Sequence, residues 1–271
     1  MPSFHLLRTV VWLIPAITVY TVILGTLSLA STLLGGHGHF AHRCAQWWSW
    51  LILVTTGVRV RVEGLDRLTP GATYVFVANH QSIYDIPVLF ASLPFQLRII
   101  AKASLGRFPF LGWHLRRTGH MLVDRKRPDR AAIFAWASAL PSRGLSLIVF
   151  PEGTRSRDGR VAPFKGGSLV PAVQAGIPIV PLSVVGSRHV MRKGELTTKP
   201  GDVRLVVHAP VPVPPTREPA PDDLRALAAR VREIVRVEVE LEADADASGG
   251  EGRAAAFPEA PSTGRPPAGA P

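Results

Sequence analysis

The sequence predicts an α/β fold, a mixed and largely parallel sheet flanked by helices, preceded by an N-terminal membrane-embedded helical segment. Three observations carry that expectation. From Val58 to His208, short runs of β-branched and apolar residues alternate with amphipathic stretches, the pattern of strands joined by covering helices. Two of these runs end abruptly in polar blocks, Asn79-His80-Gln81-Ser82-Ile83-Tyr84-Asp85 and Pro151-Glu152-Gly153-Thr154-Arg155-Ser156, as buried strands do when they deliver side chains to a sheet edge. Ahead of them, 25 residues from Val10 to Leu34 pass without one charge.

A chain of 271 residues, 46% of them hydrophobic, can bury one substantial α/β core with additions at either end. Lys and Arg number 31 against 20 Asp and Glu, a formal charge of +11 that suits an anionic partner; nucleic acid, an acidic membrane surface and phosphorylated substrates all qualify. Cys44 is the one cysteine, which excludes an intramolecular disulfide and a cysteine-based zinc site and fits a reducing compartment.

In chain order, Val10 to Leu34 would be about 37 Å long as a helix, against ~30 Å for a bilayer core, and is read as membrane-embedded. A cleaved signal peptide is the competing reading, but the run exceeds the usual apolar region of one. His37-Gly38-His39-Phe40-Ala41-His42-Arg43 has three close histidines without an acidic or cysteine ligand, so it reads as a polar loop at headgroup level and no metal is assigned. The tryptophan-rich stretch from Trp47 to Val58, about 18 Å as a helix, is too short to span and is placed at the interface, lying on the bilayer or paired with the first helix in one leaflet. A helix of the soluble core is its alternative. Residues 1–57 thus form the membrane part, and Arg43, Arg59 and Arg61, outnumbering Arg8, favour a cytoplasmic main domain.

The α/β domain is expected over 58–210. Strands are read at Val58 to Val62, Tyr74 to Ala78, Leu97 to Ala101, His120 to Asp124, Leu145 to Phe150, Ile179 to Val184 and Val203 to His208. Helices are read at Ile86 to Ser92, Leu105 to Arg116, Asp129 to Leu140 and Ser168 to Ala175. A proline-rich connector and an amphipathic helix from Asp222 to about Ala243 occupy 211–243, with acidic residues where the helix dipole favours them. The remainder, 244–271, is too rich in Ala, Gly, Pro and Ser to bury a core and is expected to lack fixed structure.

Within the first polar block, His80 and Asp85 would stand roughly 140° apart on a continuous helix at ~100° per residue, so they cannot share a helical face. They meet only if His80 lies in a loop and Asp85 in the first turn of a helix beginning near Ser82. The carboxylate then turns back to hold one imidazole nitrogen while the other faces a substrate. A hydrogen-bonded core histidine is the alternative for the pair alone.

The two blocks, the second taken from Phe150 to Ser156, in this order and about seventy residues apart, resemble those of the glycerolipid acyltransferase family, most closely its 1-acylglycerol-3-phosphate (lysophosphatidic acid) acyltransferases. The resemblance covers about Val58 to His208. Lys102, Leu105, Pro109 and Gly112 agree with the segment after the family's third strand, Gly119-His120-Met121-Leu122-Val123-Asp124-Arg125 with its second block, and Val180-Pro181-Leu182 with its last. His120-Met121 fills positions more often small or aliphatic there.

The resemblance implies a glycerol-3-phosphate acyltransferase-like fold and a membrane enzyme that moves an acyl group from a thioester to the free hydroxyl of lysophosphatidic acid, giving phosphatidic acid. It makes His80 the base and Asp85 its orienter, a general-base contribution of roughly 10²–10⁴-fold. Lys102, Arg125, Glu152, Gly153, Thr154 and Arg155 become the acceptor-binding set, Arg155 being the strongest phosphate ligand because a guanidinium grips phosphate bidentately. Acyl-CoA or acyl carrier protein is the donor substrate, membrane lipids are the surroundings, and no cofactor, metal or nucleic acid is implied. Lys165-Gly166-Gly167-Ser168, before a helix, is a further candidate for an anion. The alternatives are another acceptor (glycerol-3-phosphate, another lysophospholipid or a lyso-aminolipid), a thioesterase using water, and a non-catalytic anionic-lipid-binding protein.

Overall fold

The computed structural model describes residues 3–33, 38–107, 111–124 and 127–248. Seven strands, β1 (Val58–Glu63), β2 (Val75–Ala78), β3 (Gln96–Lys102), β4 (Met121–Val123), β5 (Leu145–Val149), β6 (Ile179–Val185) and β7 (Gly201–Val207), form one sheet in the order β1-β7-β6-β2-β5-β3-β4. Each coincides with a run read from sequence to within two residues. Only β6 and β7 pair antiparallel. The five strands β2 to β6 therefore end at the same edge, and the polar blocks after β2 and β5 emerge side by side there.

The apolar runs are continuous because both faces of the sheet are covered. Phe76 and Ala78 of β2 enter a core with Ile52, Leu53, Val88 and Leu89, whereas Val75 and Val77 enter a second core with Leu140, Ala172, Val231 and Val235. The first cover is α3 (His39–Thr56) and α4 (Asp85–Ser92); the second is α6 (Arg130–Ser138), α7 (Val170–Ala175) and α9 (Pro221–Ser248).

Several expectations change in detail. The helix read over Leu105 to Arg116 is a 3-10 segment at Ala103–Arg107 followed by α5 (Leu111–Arg117), with residues 108–110 outside those described. The last helix runs to Ser248 rather than Ala243, so the expected structureless tail begins inside it; 249–271 lie outside the described residues. The histidine-rich stretch is no loop from His39 onward, because α3 starts there and its His42 is buried against the Phe90 ring, centroids 5.6 Å apart; His37 is outside the described residues.

The tryptophan stretch joins that same 18-residue helix, about 27 Å long. One face of α3 serves the core through Ala41, Cys44, Ile52 and Leu53, while Phe40, Trp47, Trp50 and Val54 stand exposed on the other. The soluble-core alternative thus holds for one face of the helix, and the indoles of Trp47 and Trp50 are on the exposed one.

The N-terminal helix comprises α1 (Phe4–Arg8), a π segment (Thr9–Leu13) and α2 (Ile14–Leu33). Pro15 can give no hydrogen bond to the carbonyl four residues before it, and the wider turn ahead of it relieves the ring's clash. Phe4–Thr32 is the one described helix long and apolar enough to cross a membrane, and little of it is buried. It packs antiparallel on α3, Tyr20 Oη lying 3.0 Å from Thr55 Oγ1 and Trp48 Nε1 donating to Thr21 Oγ1 at 2.9 Å.

His120 has a structural explanation. Pairing of β3 with β4 begins at Ile100 with Met121, and the N–H of Ile99, one step earlier, donates to His120 Nδ1 at 3.1 Å. The imidazole extends the ladder and must be neutral to accept. Burial first, then the charge of the nearby buried Arg98, pushes its pKa down to about 3. With the folded pKa below the ordinary 6.5, the unfolded chain binds the extra proton, so the stabilisation is complete above about pH 6.5 and is lost as pH falls towards 3, at up to about 1.4 kcal/mol per unit. His120→Asn, which keeps an acceptor without the titration, should flatten the fall of melting temperature between pH 6.5 and 4.

Candidate active site

His80 stands two residues beyond the end of β2, in the loop that leads into α4. Asp85 is the first residue of that helix, and its carboxylate folds back over the loop. Asp85 Oδ2 accepts from His80 Nδ1 at 2.8 Å, Gln81 N at 2.8 Å and Ser82 N at 3.0 Å. Its other oxygen, Oδ1, accepts the Ser187 hydroxyl at 2.5 Å. Asp85 is fully buried, so an unpaired charge there would be prohibitive; four donors supply what water cannot.

The His80 ring is fixed on its other sides too. It stacks on Phe150, centroids 4.2 Å apart and planes 27° apart. With Nδ1 committed to Asp85, Nε2 is left to face outward, and the side chain keeps 17% of its surface exposed, enough to be reached. Asn79, just before it, bonds with both the N–H and C=O of Val184 at 2.8 Å and so continues the β2–β6 ladder by a side chain. Gln81 Nε2 donates to Gly159 O at 2.6 Å, tying the loop to the chain three residues past the second polar block.

That second block folds against His80 because β5 is the neighbour of β2. Glu152 bridges the two: Oε1 accepts from His80 N at 2.7 Å and Oε2 from Ala162 N at 3.1 Å. Burial pushes its pKa up, the two backbone donors opposing. Its carboxylate oxygens are thus engaged in holding the loop. Ser156 N donates to His80 O at 2.8 Å, which brings Arg155 within one residue of the histidine backbone.

Around this turn the cations collect. Lys193, from the loop after α8 (Ser187–Val190), donates to Thr154 Oγ1 at 2.9 Å and to Arg155 O at 2.7 Å. Gly153 has φ +74°, and a Cβ there would meet Lys165 Nζ at 2.8 Å, so glycine both permits the turn and lets the ammonium approach the backbone. Exposed Arg157 and Arg160 flank the turn. Lys102 is exposed at the end of β3, on the same edge but two strands from β2. Arg125 lies outside the described residues.

Two other polar segments take structural parts. Ser82, close to His80 in sequence, is buried and its Oγ donates to Met191 O at 2.7 Å, an engagement that serves the loop and not a nucleophile. The Lys165–Ser168 segment is no helix N-terminus, since Gly166–Ser168 is a 3-10 turn and α7 starts at Val170. A Cβ on Gly166 would lie 2.9 Å from Leu224 O, so glycine there allows α9 to pack closely. Sequence reasoning missed Ser187 and Lys193, which carried no signal of their place, and it read Phe150 as the start of the second block without giving it a part at the histidine.

The Acyltransferase family model matches residues 59–185. A 1-acyl-sn-glycerol-3-phosphate acyltransferase alpha of Homo sapiens is 37% identical over 178 residues, 65% of this chain and 62% of that protein. A chloroplastic 1-acyl-sn-glycerol-3-phosphate acyltransferase of Brassica napus is 34% identical over 175 residues, 64% of this chain and 50% of its own. The chain thus spans about half to three-fifths of the length of these curated relatives. The crystal structure of the 1-acyl-sn-glycerophosphate acyltransferase PlsC from Thermotoga maritima aligns with a TM-score of 0.71 at 31% identity, over 88% of this chain and 95% of that one.

Proposed function

Because the chain belongs to the acyltransferase family, we propose that it transfers a fatty acyl group from a thioester to the free hydroxyl of 1-acyl-glycerol-3-phosphate, releasing phosphatidic acid. One observation carries the chemistry: a reachable imidazole, held by a buried carboxylate, stands beside a cation-rich turn on the same sheet edge. His80 Nε2 takes the proton of the acceptor hydroxyl as its oxygen attacks the thioester carbonyl. The C–S bond then breaks, and the sulfur leaves with that proton, so the imidazole is neutral again. Asp85 stabilises the transient imidazolium. Arg155, with Lys165 and Lys193 nearby, grips the acceptor's phosphate, Lys102 and Arg125 adding positive charge. Glu152 keeps the His80 loop against the phosphate turn, and Gly153 and Thr154 shape that turn. The reading needs no cofactor beyond the acyl donor, whether coenzyme A or carrier protein.

A lysolipid acceptor and an acyl chain both partition into the bilayer, and the exposed apolar surface suits that setting. Val11, Trp12, Val22 and Ile23 of the N-terminal helix and Trp47 and Trp50 of α3 are exposed. Thr9 accepts from Thr198 N at 3.1 Å, and Ser28 Oγ lies 3.5 Å from His114 Nδ1. Contacts near both ends of the first helix favour its lying along the α/β domain in one leaflet, and Arg43, Arg59 and Arg61 after the apolar run, against Arg8 before it, favour the cytoplasmic side of the cell membrane for the domain.

Membranes carrying the protein, given labelled acyl thioester and a panel of acceptors, should acylate lysophosphatidic acid at least about tenfold faster than glycerol-3-phosphate, a lysophosphodiester or a lyso-aminolipid. No preference among them would overturn the acceptor, and free fatty acid as main product would make the protein a thioesterase. Release of the protein from those membranes by salt alone would refute the apolar seating.

A further inference from the structure

Ser187 lies two residues past the end of the family match and 102 residues from Asp85, yet its hydroxyl is the Oδ1 partner of that carboxylate. β6 is the neighbour of β2, and Gly186, at φ +88°, turns the chain sharply at the end of β6. The first residue of α8 is thereby set against the loop that carries His80. A serine beside a helix start commonly caps its own helix, but no side chain caps α8, and this hydroxyl reaches across to Asp85 instead. Both residues are completely buried.

Oδ2 already receives three N–H donors, whereas the hydroxyl of Ser187 is the Oδ1 donor among the described residues. The hydroxyl is the donor and Oδ1 the acceptor of this bond. From this geometry we propose that Ser187 is a positioning residue of the acyl-transfer reaction, acting through Asp85 to set the basicity and orientation of His80. The proposal rests on His80 being the base.

The sign of the effect follows from charge. Ser187 stabilises the Asp85 carboxylate most when His80 is neutral, because in the imidazolium form the positive ring already satisfies much of that charge. Removing the hydroxyl therefore favours protonation of the dyad, and its first protonation moves to higher pH. Among the titratable and charged groups on the adjoining elements, Glu152 interacts with both members of the pair, Tyr84 turns to Thr198 and Thr56, Arg188 on α8 donates to Arg157 O at 2.9 Å, and Lys193 donates to Arg155 O. All are unchanged when Ser187 alone is replaced, so a difference between variant and parent reports on the hydroxyl.

The full-length protein in detergent is compared with Ser187→Ala and Ser187→Thr by the pH profile of kcat/KM and by NMR titration of the His80 ring, assigned by its loss in His80→Ala. Ser187→Ala should lower kcat about tenfold with little change in acceptor KM and raise the acid limb and the His80 midpoint by about one unit; Ser187→Thr should restore both. A loss of rate with limb and midpoint unmoved would reduce Ser187 to a packing role and overturn the proposal, as would an unaffected Ala variant. Should Ser187→Ala not fold, Ser187→Cys, a weaker donor of similar size, is expected to shift the midpoint the same way by less, and no shift overturns the proposal. The NMR midpoint is independent of turnover, so a parent protein without acyl transfer refutes the base reading separately.

Discussion

Replacing His80 by alanine is expected to lower acyl-transfer kcat by about 10³-fold while folding, membrane association and acceptor KM stay close to those of the parent. The fold is spared because the imidazole sits at the sheet edge, partly exposed, and fills no core cavity. What disappears is a proton acceptor held by Asp85 at 2.8 Å and kept in plane by Phe150. The turn after β5 is untouched, since Glu152 and Ser156 bond to the backbone of residue 80, which alanine retains. Steady-state kinetics with lysophosphatidic acid and a sedimentation assay decide it. Turnover unchanged by the substitution would falsify the base assignment, and parent protein that binds anionic lipid without turnover would leave a binding protein.

Asp85→Asn should come next, with a loss of about 10³–10⁴-fold in kcat and a modest change in stability. The asparagine carbonyl oxygen can occupy the Oδ2 position and accept from Gln81 N and Ser82 N, while its amide faces Ser187, whose hydroxyl can turn from donor to acceptor. The shape survives but the charge that supports the imidazolium does not. Asp85→Ala separates the two effects, because it strands backbone donors in a fully buried place at about 1–3 kcal/mol each. Thermal melts should therefore place the alanine variant well below the asparagine variant while both are nearly inactive. Comparable melting temperatures for the two would show that the carboxylate contributes little to holding the loop.

Much of this site was legible in the residues themselves. The five-residue spacing of His80 and Asp85 demanded a loop followed by a helix start, and α4 begins at Asp85. The apolar runs ending at Ala78 and Val149 are buried strands. Other features were misread for physical reasons. A histidine-rich stretch looks polar, yet one face of a helix can bury His42 while another stays wet, and α3 serves the core and the exposed surface at once. Lys165-Gly166-Gly167 has the composition of an anion loop, but Gly166 is glycine to admit the backbone of α9, an element nearly sixty residues on.

By itself, then, the sequence determined where the seven strands lie, which two polar blocks follow strands, and that a histidine and an aspartate of one block could meet across a loop and a helix start, because these depend on periodicity and short-range spacing. Only the tertiary structure decided which residues from other strands complete the group. Strand order puts β6 and β5 on either side of β2, so the turn after β6 brings Ser187 to Asp85 and the turn after β5 brings Glu152 to the His80 backbone. Hydrogen-bond partners 72 and 102 residues apart follow from which strands are neighbours, and no local pattern of side chains records that.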